Sequence, residues 1–392
     1  MRQERRLENR FFQSRDLCLR ALDTTPACVK NARRKGEKMD SMAMQKPVYG
    51  GASQEKKKKG IPGSTIKIIA VVTMLIDHVA AAIFTRMILS GDYYGVFGSG
   101  DIAQITSWLS RNALLYYGTQ LMRLIGRLGF PIFCFLLVEG FQKTRNVKKY
   151  AFRLALFCLI SEIPFDLAFS GSFMNWNYQN VYFTLLIGLL VLWAIDFLSK
   201  KDLSKALQAV AIVAGLGLSV FYIERAMSNF VLSFLSGFRG GMSNVGRADI
   251  YTATMIGIII AVLVDLVVVL IFCVGTKTIT IGKLGAYATV LFAGMLLADV
   301  LRTDYSGMGV LTIAMMYAFR KNKVISMLAG CITLNVMSLS EITAFFALIP
   351  IAMYNGERGL KMKYFFYAFY PVHLLLIWLV ALAMGMGWIP AV

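Results

Sequence analysis

The sequence predicts an all-α, polytopic transmembrane helical bundle, and three observations point there. Hydrophobic residues make up 57% of the 392, charged residues only 16%, and mean hydropathy is +0.62, a balance foreign to water-soluble chains of this length. Apolar runs long enough to cross about 30 Å of hydrocarbon recur along the chain. Lysine and arginine gather in alternate connections between those runs, the pattern of loops held on the cytoplasmic side.

In order, the spans fall near 66–90, 120–140, 151–169, 180–198, 206–223, 251–274, 284–301, 307–319, 324–338, 342–354 and 365–388. The count is ten or eleven, because 307–319 and 342–354 are shorter than the roughly 20 residues a free-standing span needs. Short pieces read as tilted, half or re-entrant helices. Their backbone ends are tolerated only where protein or a water-filled cavity shields them, so a cavity is expected in the later half.

Charge sets the orientation. With the KKKK run at 56–59 inside, the inward loops are 143–149, 200–205, the Lys277 and Lys283 loop, 320–323 and 357–363, and every one is basic. The outward loops are GDYYGVFGSGDIAQITSW, GSFMNWNYQN, the mixed 224–249 segment, RTDYS and SLSE, and none is a basic cluster. The N-terminus is therefore expected inside and the C-terminus outside. The net charge of +19 is spread over loops on one face, which is topogenic charge and no nucleic-acid surface.

Residues 1–63 are polar and basic, the composition of a disordered cytoplasmic segment, and hold no apolar core of the kind a secretory signal needs. Residues 64–392 form a single transmembrane domain. Lys35, Gly36, Glu37 and Lys38 are encodable by AAGGGAGAAA, a ribosome-binding sequence, directly before Met39. Translation is thus expected to begin at Met39, leaving residues 1–38 without a function.

Among the six cysteines no pair has metal-ligand spacing, and Cys134, Cys158, Cys273 and Cys331 lie inside spans as small apolar residues, so neither a metal nor a disulfide framework is expected. No phosphate-binding glycine loop, dinucleotide fingerprint or internal repeat is visible, which argues against nucleotide-driven transport.

The chemistry must then reside in polar groups within the spans. The chain has two histidines, His78 and His373, and both fall in membrane-length apolar runs. A titratable ring in hydrocarbon is costly unless it faces a polar cavity. Lys67 precedes His78 by eleven residues, close to three helical turns, so both project from one face about 16 Å apart. Lys67 could hold an anionic donor at the mouth; a snorkelling lysine is the ordinary alternative. Asp77 is rotated about 100° from His78, cannot orient that ring, and is expected to pair with a cation of another span.

Arg123 and Arg127 share a face of the second span, where Gly126, Gly129 and Pro131 allow a kink and close approach. Their partners are sought among Asp77, Glu139, Glu162 and Asp166, in an ion-pair network that either fixes packing or serves a substrate. Asn180 opens the fourth span as a cap or a polar contact. His373 follows Pro371 by two residues, where a freed carbonyl and Tyr370 could accompany it.

The stretches IKIIAVVTMLIDH (66–78), RLIGRLGFPIFCFLLVEGFQKTRNVKKYAFRLALFCLISEIPFDLAF (123–169), NVYFTLLIGLL (180–190) and AFYPVHLLLIW (368–378) resemble the TraX family of bacterial membrane proteins. The likeness runs from about residue 64 to 380, except for the 224–249 segment. It implies kinship to multi-span membrane acyltransferases, in which a first-span basic residue, ten intervening residues and a histidine form a functional motif. Lys67 and His78 match that spacing, with lysine where arginine is more usual. The plasmid-borne members are associated with acetylation of pilin.

The resemblance therefore implies a bacterial cytoplasmic-membrane enzyme that takes acetyl from acetyl-CoA and passes it to an amine or hydroxyl of a pilin-like protein or surface glycan. His78 would act as general base or as nucleophile, Arg123 and Arg127 would steady donor phosphates or a developing oxyanion, and no metal is needed. Membrane lipid is a partner and nucleic acid is not. Two alternatives stay open: a proton-coupled transporter, whose parts would be the same intramembrane groups, and a non-enzymatic component of a pilus or conjugation machine.

Overall fold

The first apolar run becomes helix because an extended proline, Pro62 (φ −78°, ψ 164°), sets the chain direction just before it. Helix α1 (Gly63–Leu89) is α-helical to Val79, opens into a π turn over Ala80–Phe84, and closes again to Leu89. The computed structural model describes residues 59–238, 245–275, 279–360 and 363–391. Expectations for the basic segment before residue 59 lie outside the described residues.

The short helix α2 (Tyr93–Gly98) leads to α3 (Ile102–Gly126), which Asp101 caps by accepting from the Ala103 and Gln104 amides at 2.9 and 3.4 Å. Helix α4 (Gly129–Lys143) continues it after a break at Arg127 and Leu128, so that 102–143 is one apolar stretch of 42 residues with an interruption. Two sequence expectations are corrected here. The stretch read as the outward loop 91–108 is largely helical, and the span read as 120–140 straddles the break. Hydropathy missed the first half of α3 because its polar residues leave an apolar edge, Trp108 and Leu109, that packs on Tyr93 and Phe97.

Helix α5 (Val147–Ser170) is capped by Asn146, contains Pro164, and stops at Gly171 in the left-handed region (φ 61°). Helix α6 (Val181–Ser199) follows, capped by Asn180. The next three helices are long: α7 (Lys205–Phe238), α8 (Arg247–Val269, with a π turn over Leu270–Gly275) and α9 (Ile281–Val300). Helix α7 packs against both α8 and α9, and α8 turns Ile259, Val262 and Leu266 outward, as a helix bathed in lipid does. The segment 224–249 is therefore no simple loop: 224–238 belongs to α7 and 247–249 to α8. Its polar residues mislead because some are satisfied within their own helix, as where Ser228 bonds Glu224 at 2.7 Å.

Short elements complete the chain: α10 (Ser306–Ala318), α11 (Lys323–Met337), a 3-10 stretch (Leu339–Ala347) running into α12 (Leu348–Met353), and finally α13 (Lys363–Ala383) with Pro371 inside. Among the described residues seven helical stretches are long and apolar enough to cross a membrane: α1, the α3–α4 run, α6, α7, α8, α9 and α13. The shorter apolar pieces are α10, α11 and the 3-10 stretch with α12, at the places where the sequence shows short runs. Helix α5 is apolar on average but carries too many charged residues to join the seven.

The molecule is an all-α multi-pass membrane protein, with no strand among the described residues and two isolated bridges, Ile61 to Tyr354 and Gln179 to Thr303. The main core draws Ile66 and Ala70 of α1, Ile132 and Val138 of α4, Leu189 of α6, Ile313 of α10 and Leu334 of α11 into contact. A second cluster, with Ala82, Phe165, Phe169, Tyr370 and Leu374, joins α1, α5 and α13. That cluster holds both histidines in place.

Candidate functional site

The two histidines, 295 residues apart in sequence, are hydrogen bonded to each other: His78 Nδ1 lies 2.7 Å from His373 Nε2. The other nitrogen of His373, Nδ1, lies 2.7 Å from the carbonyl oxygen of Phe369, one turn back on α13. A carbonyl only accepts, so His373 Nδ1 carries hydrogen and donates; in the neutral ring Nε2 is then a lone pair. His78 Nδ1 must donate to it, so both Nε2 atoms are unprotonated, and only that of His78 lies outside the bond between the rings.

Aromatic rings fix both imidazoles. Phe169 and Tyr370 meet His78 edge-on at 5.4 and 5.9 Å between centroids, and Phe369 stacks on His373 at 4.7 Å. The carbonyl beside His373 is that of Phe369 and not that of Tyr367, the one Pro371 would free, while Tyr370 meets both imidazoles edge-on.

His78 and Tyr370 line a narrow cavity of about 80 Å³, room for a few waters or a small acyl group. Its wall includes Asp77, Gly126, Tyr182, Asp304, Tyr305 and Phe366. Asp77 bonds across to Arg123 at 2.6 Å, the interhelical pairing that its rotation from His78 calls for. Gly126 is required by this approach, because a Cβ there would fall 2.3 Å from Asp77 Oδ1. Arg127 pairs with the buried Glu341 at 2.8 Å.

Thus each arginine is committed to a carboxylate, and neither lines the cavity. Lys67 places its Nζ 5.5 Å from the centre of the ring of Phe366, a residue that lines the cavity.

The remaining candidates form separate groups. Asn180 accepts from the Tyr182 amide at 3.0 Å as a cap, and its side-chain amide donates to Glu162 and to the Cys158 carbonyl. Asp166 accepts from the Asn175 amide at 2.8 Å. Glu139 stands apart, bonding Lys143 at 2.7 Å and the Tyr354 hydroxyl at 2.5 Å. Of the four carboxylates sought for the arginines, only Asp77 takes one. Among the described residues no group of three or more His, Cys, Asp or Glu could hold a metal ion.

Three cavity or network residues escape the sequence reading: Asp304, Tyr305 and Glu341. The first two lie in RTDYS, read as a plain connection. Their loop has Arg302, Tyr305 and Ser306 at positive φ (53°, 63° and 47°), backbone that costs non-glycine residues energy. The loop is held by Tyr178, which donates to Asp304 at 2.9 Å, and by Tyr305 stacked on Phe130 at 3.6 Å. Glu341 lies in SLSE, where a 3-10 turn buries it. A carboxylate counted as loop in both cases was the available signal.

Comparison with known proteins adds two findings. The family model described as TraX protein matches residues 62–236 and 243–381, leaving out part of the connection between α7 and α8. Over 111 residues the chain is 36% identical to a Dichelobacter nodosus protein described as "Probable fimbrial assembly protein FimC, serogroup H1", covering 25% of this chain and 46% of that one. The chain thus spans about half the length of this curated relative. No solved structure matches.

Proposed function

From a chain that belongs to the TraX protein family, we propose an acyltransferase embedded in the bacterial cytoplasmic membrane with its N-terminus inside, which moves acetyl from acetyl-CoA to an amine or hydroxyl. The observation that carries this reading is the one-directional hydrogen-bond chain from His78 through His373 to the Phe369 carbonyl, with the free nitrogen of His78 on a residue lining the cavity. A neutral ring with an unprotonated nitrogen is what a general base needs.

In the reaction the acceptor nitrogen or oxygen attacks the thioester carbonyl, and His78 Nε2 takes the proton the acceptor loses. The C–S bond breaks, and that proton returns to the departing thiolate. His373 spreads the transient positive charge of His78 through the shared hydrogen bond, and Phe369 holds His373 in the tautomer that accepts it. If His78 instead attacks the carbonyl itself, the same free nitrogen is the nucleophile. Arg123 holds Asp77 in the wall and Arg127 holds Glu341, so both guanidiniums act by positioning.

Similarity to a protein described as a fimbrial assembly protein favours a second reading, a membrane component of fimbrial or pilus assembly, and makes a pilin-like protein a natural acceptor in the first. The test is incubation of the purified chain with [14C]acetyl-CoA and cell-envelope extract from a deletion strain. The acyltransferase reading predicts label on an envelope component with wild type and none with a folded His78→Ala variant. Intact donor after incubation with wild type would refute the acyltransferase reading.

A further inference from the structure

We propose that a second, basic pocket, between α4, α11 and the segment 354–356, is a phosphate site that takes the nucleotide end of the acyl donor. The donor's identity rests on the function proposed above; the phosphate chemistry rests on the pocket itself.

The pocket has a volume of about 420 Å³, within the range of small-ligand sites and well above that of the histidine cavity. Three cations line it, Lys143, Arg320 and Lys323, with Gln142, Ser326 and Asn355 adding polar groups. Lys143 is neutralised by Glu139. Among the described residues neither Arg320 nor Lys323 meets a carboxylate at ion-pair distance. Lys323 donates to the carbonyls of Ala352, at 2.9 Å, and Tyr354. Arg320 lies 3.9 Å over the Tyr317 ring and, among the described residues, gives one bond, 2.8 Å, to that residue's carbonyl, which engages few of its five donors. Two positive charges that line one pocket and bond only neutral oxygens favour an anion, and a guanidinium matches phosphate geometry.

Position ties this pocket to the histidines. The segment after Met353 is bonded to the start of α1, with the Ile61 amide donating to Met353 and the Asn355 amide to Ile61, both at 3.0 Å. The pocket therefore lies at the Lys67 end of α1. The Lys67 ammonium sits over Phe366, which lines the His78 cavity. Along α1, His78 is about 16 Å deeper than Lys67. An elongated donor with phosphates at one end and a thioester at the other fits this sequence of sites. A phospholipid fits less well, since among the described residues only Phe135, Val138 and Tyr354 of the lining belong to the hydrophobic core, and the rest of the wall is polar or charged apart from Gly356.

Arg320→Glu is the variant of choice, because the side chain is exposed and its loss breaks one backbone bond. Full-length protein in phosphatidylcholine nanodiscs is assayed with acetyl-CoA and with acetyl-pantetheine, which lacks the phosphates, and is titrated with adenosine 3′,5′-bisphosphate. The expected result is binding of the bisphosphate by wild type that Arg320→Glu abolishes, with an about tenfold fall in the kcat/KM preference for acetyl-CoA over acetyl-pantetheine. Lys323→Gln gives the same direction and guards against a folding fault in one variant. An unchanged preference with both donors active overturns the pocket and leaves the enzyme standing. Bisphosphate binding lost in Arg320→Glu, without transfer from either donor, supports the phosphate site and refutes the enzyme. Displacement of the bisphosphate by phosphatidylglycerol in the nanodisc, but not by acetyl-CoA, makes it a lipid site and overturns the assignment.

Discussion

His373 dictates where the proton sits on His78. Its Nδ1 is bound to the Phe369 carbonyl at 2.7 Å, so its Nε2 receives hydrogen from His78 Nδ1, also at 2.7 Å. The arrangement depends on Pro371 only indirectly, since the accepting carbonyl is the one a full turn before His373.

The two histidines should therefore differ in weight. His78→Ala removes the base and is expected to lower acetyl transfer by about 10²–10⁴-fold. His373→Ala leaves a base whose tautomer is no longer held, and lowers the rate by a smaller factor. Initial rates with labelled acetyl-CoA on variants of equal thermal stability check this; equal losses would mean that the pair acts only as a packing contact.

Asp77 and Arg123 stabilise the bundle as a pair. Arg123→Met strands a carboxylate that is already short of one partner, Oδ1 having no hydrogen bond, and should cost about 2–3 kcal/mol, below the figure for fully buried pairs because the Arg123 side chain is 32% exposed. Adding Asp77→Leu should recover part of that loss. Thermal denaturation in detergent measures it, and a double variant weaker than Arg123→Met alone would contradict the account.

Gly126 is the hinge of this contact. Its missing side chain lets α3 approach α1 so closely that an added Cβ would lie 2.2 Å from the Asp77 Cβ. Gly126→Ala should separate the helices, weaken the Arg123 bond and lower the melting temperature more than Gly118→Ala, whose added Cβ has no atom within 4 Å. Similar melting temperatures for the two would show that the approach is not required.

Arg86 pins the C-terminal segment. It is fully buried and spends its donors on the carbonyls of Ile389, Ala82 and Leu167, at 2.5, 2.8 and 3.2 Å. Arg86→Leu should speed amide hydrogen exchange in residues 384–391 while exchange in α10 changes little, a contrast readable by mass spectrometry. Unaltered exchange near Ile389 would remove this role.

Much of this was legible in the residues. The apolar runs gave the helices, the eleven-residue spacing put Lys67 and His78 on one face, and the rotation of Asp77 away from His78 foretold an interhelical partner, found in Arg123. What periodicity could not give was distance between helices. The meeting of His78 and His373 depends on how α1 packs against α13, and no local pattern encodes that. Asp304, Tyr305 and Glu341 do not stand out in the sequence, because a short polar stretch between apolar runs reads as solvent-facing loop. In this chain RTDYS and SLSE fold back against the bundle, where Tyr178, Phe130 and Arg127 receive them.

Because the sequence contains two histidines and no more, 15N NMR of protein labelled with [15N]histidine and purified without a histidine tag reads this site alone. The account predicts two neutral rings, both protonated at Nδ1, with the His78 Nε2 resonance that of a bare lone pair and absent in His78→Ala. Protonation of His78 at Nε2 would contradict the claim that this nitrogen is the working atom.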